Sequence, residues 1–91
     1  MIRVSDYEEA LAVLNDTEYG LTAGIITQSL RYASDFKRRA RTGCVMVNLP
    51  TAGTDYHVPF GGRKASSFGP REQGQYAREF YTVVKTTYVR P

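Results

Sequence analysis

The stretch Leu21-Thr22-Ala23-Gly24-Ile25-Ile26-Thr27, taken with Cys44-Val45-Met46-Val47, decides the fold. Ile25, Ile26 and Thr27 are β-branched and stiff at χ1, which suits an extended strand, and Gly24 leaves room for close approach by neighbouring backbone. Cys44–Val47 is apolar without alternation, the pattern of a strand covered on both faces of a parallel sheet. Parallel strands need a crossover, and the residues between them supply one. Ser29 or Thr27 caps a helix whose buried face carries Leu30, Ala33, Phe36 and Ala40. Lys37, Arg38, Arg39 and Arg41 crowd its last turns, where cations meet the negative end of the helix dipole. Gly43 stands where a helix commonly exits in the left-handed conformation.

Towards the N-terminus, Ser5-Asp6-Tyr7-Glu8 reads as a capping box. Tyr7, Ala10, Leu11 and Leu14 follow at i, i+3, i+4 and i+7, one apolar helical face. Asn15-Asp16-Thr17 ends that helix and Gly20 lies in the loop after it. With Ile2 and Val4 as a leading strand, the first half reads β-α-β-α-β, an α/β unit with right-handed crossovers and a partial parallel sheet. Towards the C-terminus the character changes. Leu49 to Pro70 carries three prolines and four glycines with almost no periodicity. A loop of about 20 residues is uncommon in a compact domain and is usually functional. A short helix is predicted over Gln75–Phe80, then a strand from Tyr81 to Val89. No hairpin turn precedes that strand, so it lacks a partner in the chain and would seek another sheet edge.

Composition bounds the answer. The 91 residues hold 12 Lys+Arg, 9 Asp+Glu, 42% hydrophobic and 23% charged residues, an ordinary globular mix that excludes disorder and collagen-like repeats. A two-domain nucleotide enzyme does not fit in one small domain of this length. The apolar runs are far shorter than the roughly 18–20 residues that cross a bilayer, and no signal pattern opens the chain. Cys44, the single cysteine, forms no internal disulfide and has no clustered partners for zinc. The default is a cytoplasmic protein without a membrane partner. A net charge of +3 is a modest field that does not argue for nucleic acid.

Taken singly, the motifs carry no reaction. Gly61-Gly62-Arg63-Lys64 suggests a phosphate cradle but lacks the G-x-x-x-x-G-K-[ST] spacing and its flanking elements, which favours a tight turn. His57, beside Tyr56, has no identifiable partner to orient it as an acid or base. Cys44 opens an apolar strand where a thiolate is poorly stabilised, so a structural cysteine is the better reading. The Lys37–Arg41 run reads as a solvated helix end, because Tyr32 and Phe36 lie on or near the apolar side of the same helix.

Read in order, Glu18-Tyr19-Gly20-Leu21-Thr22-Ala23-Gly24, the strand Cys44–Asn48, and Pro59-Phe60-Gly61-Gly62-Arg63-Lys64-Ala65-Ser66 resemble the C-terminal portion of the aldehyde dehydrogenase family. Gly69 to Gly74 and Tyr81-Thr82-Val83-Val84-Lys85-Thr86 continue the resemblance, which spans essentially the whole chain. The loop Asn48–Gly53 with Asp55-Tyr56-His57-Val58 is similar to the branch acting on 2-oxoglutarate (alpha-ketoglutarate) semialdehyde.

The resemblance implies NAD- or NADP-dependent oxidation of an aldehyde to an acid, with a cysteine nucleophile and a glutamate base. The family's nucleophile, base and cofactor domain belong to segments upstream of those present here, and Cys44 does not match the nucleophile's motif. No catalytic, cofactor-binding or metal-binding residue is therefore expected in this chain, and it is expected to be inactive alone. Phe60 matches the aromatic wall of the substrate tunnel. Leu49–Val58 matches the loop that selects substrate, which makes Leu49, Tyr56 and His57 candidate contacts. Gly61 and Gly62 match the turn beside that wall, and Arg71 with Glu72 a pair near the subunit contact. Tyr81, Val83, Lys85, Thr87 and Val89 match the family's oligomerisation strand, implying a homo-oligomer.

Two units follow: residues 1–80 as part of a catalytic domain and 81–91 as the oligomerisation strand. Ser67 stands where the family usually has glycine, Pro70 resembles an insertion, and Met1 replaces a proline, as though the chain began within a longer gene. The alternatives are a self-standing interaction module assembling through 81–89, or a small basic nucleic-acid binder using Lys37–Arg41.

Overall fold

The computed structural model describes residues 1–91. Helix α1 spans Tyr7–Asn15. Its cap is Asp6, not Ser5: the Asp6 carboxylate accepts the Glu9 N–H at 2.9 Å. The Ser5 N–H and hydroxyl both donate to the Glu9 carboxylate, at 2.6 and 2.7 Å, so the reciprocal pair forms one residue later than Ser5-x-x-Glu8 predicts. Residues 1–4 are exposed and unpaired, so the leading strand through Ile2 and Val4 does not form. An extended segment without a neighbouring strand gains no ladder hydrogen bonds.

The α/β crossover holds. Strand β1 (Tyr19–Gly20) precedes β2 (Thr22–Ile25), helix α2 (Leu30–Arg39) follows, and β3 (Cys44–Val47) lies parallel to β2. The register pairs Thr22 with Cys44 and Ile25 with Val47. The Ser29 hydroxyl caps α2 by accepting the Tyr32 N–H, while Thr27 Oγ1 accepts the Ser29 N–H, so both candidate caps act in series. Leu30 is 86% exposed, against the expectation for the buried face, because the core takes Phe36 and Ala40 from the C-terminal half of α2 and its cap. All four β3 residues are only half-buried: Val45 packs on the core with Ala23 and Ile25, and the strand is not covered on both faces as its apolar run predicts. Gly43 is not left-handed: α2 ends at Ala40 in extended backbone. Its glycine is required instead by the close approach described below.

The core is Leu11, Ala23, Phe36 and Ala40, with Tyr7, Leu14, Ile25 and Val45 packed against it. Only seven residues are buried, so much of the apolar surface stays open. Polar contacts tie the two helices. Arg39 grips Glu8 with two parallel bonds at 2.8 and 2.7 Å and reaches Asp35 at 3.0 Å, while the Tyr7 hydroxyl donates to Asp35 at 2.9 Å. These bonds hold the Glu8 carboxyl below the usual range, chiefly through Arg39, and the Asp35 carboxyl likewise, chiefly through Tyr7.

Strand β4 (Arg63–Lys64) pairs antiparallel with β1, Tyr19 opposite Lys64. A 3₁₀ turn (Gly74–Tyr76) runs into α3 (Ala77–Tyr81), so Tyr81 ends a helix instead of opening a strand. Residues 82–91 then leave the body, exposed and without a backbone partner. The molecule measures 71 × 24 × 22 Å, with a radius of gyration of 17.7 Å. A compact chain of this length has about 12 Å.

Candidate functional site

The long loop is anchored at both ends. Asn48 follows β3 at φ 58°, a conformation Asn tolerates better than most residues. Its side chain clips the end of β2: Oδ1 accepts the Thr27 N–H at 2.8 Å and Nδ2 donates to the Thr27 carbonyl at 2.9 Å. Leu49 is exposed at this sheet end, where its carbonyl lies beside Gly24. At the other end, Phe60 and Glu72 exchange both backbone hydrogen bonds, at 2.8 and 2.9 Å. Directly opposed antiparallel residues share a face, so the Phe60 ring and the Glu72 carboxylate lie on one side, and Gly61 and Arg71 on the other.

Arg71 closes that second side. A Cβ on Gly43 would lie 2.6 Å from Arg71 Nη1, and one on Gly61 would lie 2.9 Å from Arg71 Cδ. The two glycines thus form a slot for the arginine stem, and no carboxylate lies within 4.0 Å of its guanidinium. Cys44 sits half-buried beneath the same turn, its Sγ 3.8 Å from the Gly61 carbonyl.

Between the anchors, Tyr56 and His57 stand edge to face with ring centroids 5.4 Å apart, and Tyr56 is 84% exposed. The Tyr56 carbonyl accepts the Gly74 N–H at 3.3 Å. Gly74 itself has φ 53° and lies under His57, whose carbonyl would be 2.5 Å from any Cβ there. The backbone of Tyr56-His57 is therefore seated against the turn that follows Glu72. Tyr56, His57 and Phe60 belong to one loop resting on one hairpin, whereas Leu49 stands at the sheet.

Gly61-Gly62-Arg63-Lys64 is a knitted turn. The Gly62 N–H donates to Ser67 Oγ at 2.7 Å and the Gly20 N–H to Ser66 Oγ at 2.8 Å. The Lys64 ammonium donates to the Asn15 and Thr17 carbonyls, both at 2.8 Å. These donors are already engaged, so the turn is not a phosphate cradle. Ser67 supplies the oxygen that Gly62 needs, a role its sequence context does not announce. No group of three His, Cys, Asp or Glu side chains converges on a metal-sized site. Val83, Lys85, Thr87 and Val89 are all exposed on the projecting tail.

The profile described as "Aldehyde dehydrogenase family" matches residues 1–87. The chain is 48% identical over 89 residues to an alpha-ketoglutarate semialdehyde dehydrogenase of Haloferax volcanii, covering 97% of this chain and 18% of that protein. It is 41% identical over 91 residues to an alpha-ketoglutaric semialdehyde dehydrogenase of Bacillus subtilis, covering 100% of this chain and 19% of that protein. An indole-3-acetaldehyde dehydrogenase of P. syringae, solved with NAD+, superposes with a TM-score of 0.80 at 39% identity, covering 97% of this chain and 17% of that one. The chain thus spans less than a fifth of the length of these relatives.

Proposed function

The chain belongs to the aldehyde dehydrogenase family, and from that premise we propose that it forms the substrate-tunnel wall and an assembly surface of an NAD- or NADP-dependent enzyme oxidising an aldehyde to its acid. The observation that carries this reading is the Phe60–Glu72 pair. It fixes an aromatic ring on one face of a hairpin, with Tyr56 and His57 in the loop seated on the same hairpin. An aromatic wall of this kind shapes an apolar passage and keeps water from a reacting carbonyl. Likeness to the alpha-ketoglutarate semialdehyde dehydrogenases supports an acidic semialdehyde as substrate, with the exposed Leu49, Tyr56 and His57 facing its tail.

The structure gives no support for a nicotinamide-cofactor contact at the glycine turn. Its one Gly-Gly turn has its amide and ammonium donors committed to Ser67, Asn15 and Thr17. A chain that spans less than a fifth of its relatives' length supports the reading that it is inactive by itself. No helix is long and apolar enough to cross a membrane. Assay of the purified chain with short aldehydes and an acidic semialdehyde, with NAD or NADP, tests this. Cofactor-dependent turnover by the chain alone overturns it.

The exposed tail supports a second role, homo-oligomerisation by edge pairing through Val83, Lys85, Thr87 and Val89, beyond Tyr81 at the end of α3 and with Arg71 close to the contact. Ten residues rich in Val, Thr and Tyr with free N–H and C=O groups are a template for another sheet edge.

A further inference from the structure

A polar channel runs along the side of the α1–α2 pair, made of two adjoining grooves of about 230 and 640 Å³. The smaller is lined by Tyr7, Tyr32, Arg31 and Asp35, the larger by Asp16, Arg41 and Arg63, and both share Glu8, Arg38 and Arg39. The charges in it are unequal in kind. Arg39 takes up Glu8 and Asp35 in its own closed cluster. Arg31, Arg41 and Arg63 have no carboxylate within 4.0 Å, and Arg38 only a long contact with Asp35 at 3.8 Å.

The bland reading of these arginines is that they cap helix ends. The groups at this junction already have other partners. Asn15 Nδ2 donates to the Arg39 carbonyl and Asn15 Oδ1 accepts the Arg41 N–H. The Asn15 and Thr17 carbonyls are taken by Lys64. Arg38 donates to Ser34 Oγ at 3.3 Å beside its long contact with Asp35, and the guanidinium groups of Arg41 and Arg63 are left over.

The aromatic component is placed otherwise than the sequence suggests. Tyr32 is not packed into the core; it is 41% exposed and stacks on Tyr7, centroids 4.6 Å apart and planes 23° from parallel. Both residues of that stack line the smaller groove together with Arg31. An aromatic stack followed by spaced guanidinium groups, those of Arg31, Arg41 and Arg63 without a carboxylate partner, matches a ligand with a stackable base and successive phosphates.

We infer that this channel binds single-stranded nucleic acid, one base stacking at Tyr32 and the backbone phosphates running past Arg38 to Arg41 and Arg63. Cations along two successive grooves exceed what one free phosphate occupies, which favours a strand over a mononucleotide. Neutralisation of about three phosphates predicts a log–log salt slope near −2, or about 20-fold weaker binding at 200 mM than at 50 mM salt.

Fluorescence anisotropy with a labelled octathymidylate and the full chain provides the test. Arg41→Gln/Arg63→Gln is expected to flatten the salt slope by about one to two, since neither side chain holds the fold. Tyr32→Ala is expected to weaken binding at least about fivefold with the slope unchanged, and Tyr32→Phe to retain the affinity. Circular dichroism of each variant separates loss of binding from loss of fold. Absence of binding at 50 mM salt, equal affinity for a duplex of the same length, equally effective competition by polyglutamate, or a slope indifferent to the arginine pair each overturns the assignment.

Discussion

Gly43 and Gly61 touch so closely that a Cβ on Gly43 would lie 1.8 Å from the Gly61 carbonyl oxygen. This contact joins the start of β3 to the loop that carries Phe60. Gly43→Ala must push backbone away from backbone, a clash no rotamer relieves. We expect a loss of about 1–3 kcal/mol or more in urea unfolding, with faster exchange of the Phe60 and Glu72 amides. Gly24→Ala meets only the Thr51 methyl, at 3.0 Å, and should cost distinctly less. Equal costs would remove the argument.

Acid should loosen the α1–α2 pair. Glu8, Glu9 and Asp35 all have carboxyl groups held below their usual values in the folded chain. The lowered folded values mean that their contribution is present above the unfolded pKa values and is lost as pH falls through the folded ones. The melting temperature should therefore decline as pH drops below the ordinary values of 4.5 and 3.8. Arg39→Gln removes the partner that lowers Glu8 most, so its melting temperature should depend less on pH over the same range. An unchanged pH profile in the variant would count against the cluster.

Lys64→Met tests the reading of the glycine turn. Loss of the ammonium leaves the Asn15 and Thr17 carbonyls to water, at a cost of about 1 kcal/mol for exposed charge-assisted bonds. The α1 C-terminal amides should lose exchange protection while the β2–β3 amides keep theirs. Phosphate should affect the two proteins equally; stabilisation of the wild type alone would revive the phosphate-binding reading of the turn.

Deletion of residues 82–91 should reduce the sedimenting mass to that of one chain, whereas the intact chain sediments as a dimer or larger species. The body should keep its far-ultraviolet spectrum, since no backbone bond within the chain reaches the tail. An intact chain that sediments as a monomer at high micromolar concentration removes the tail's role in assembly.

Much of this was legible in the sequence. The crossover could be read because β-branched Ile25 and apolar Cys44–Val47 flank an amphipathic helix, and all three signals are local. The resemblance marked Phe60 and the turn after it through contiguous residues. What escaped depends on contacts distant in sequence. Nothing near Gly43 reveals that Gly61 will lie against it, so its glycine read as a helix exit. Glu72 read only as the partner of Arg71, although its backbone pairs with Phe60. Tyr32 read as near the core because periodicity places it beside Phe36; only the stack on Tyr7 turns it outward. The Asn48 clip had a readable signal, an Asn just after a strand, but its partner Thr27 lies 21 residues away.

The span of those contacts also orders events in time. The Tyr7–Asp35 bond joins residues 28 apart, while Lys64 reaches back 49 residues to Asn15 and 47 to Thr17. Loop closure over longer separations is slower and costs more entropy, so the helix pair should assemble first and the Phe60 turn dock last. The element that closes last with the fewest buried neighbours is also the first to open. The hairpin is then a door on a slow latch: pulse-labelling exchange should find residues 60–72 opening while the β2–β3 pair remains shut.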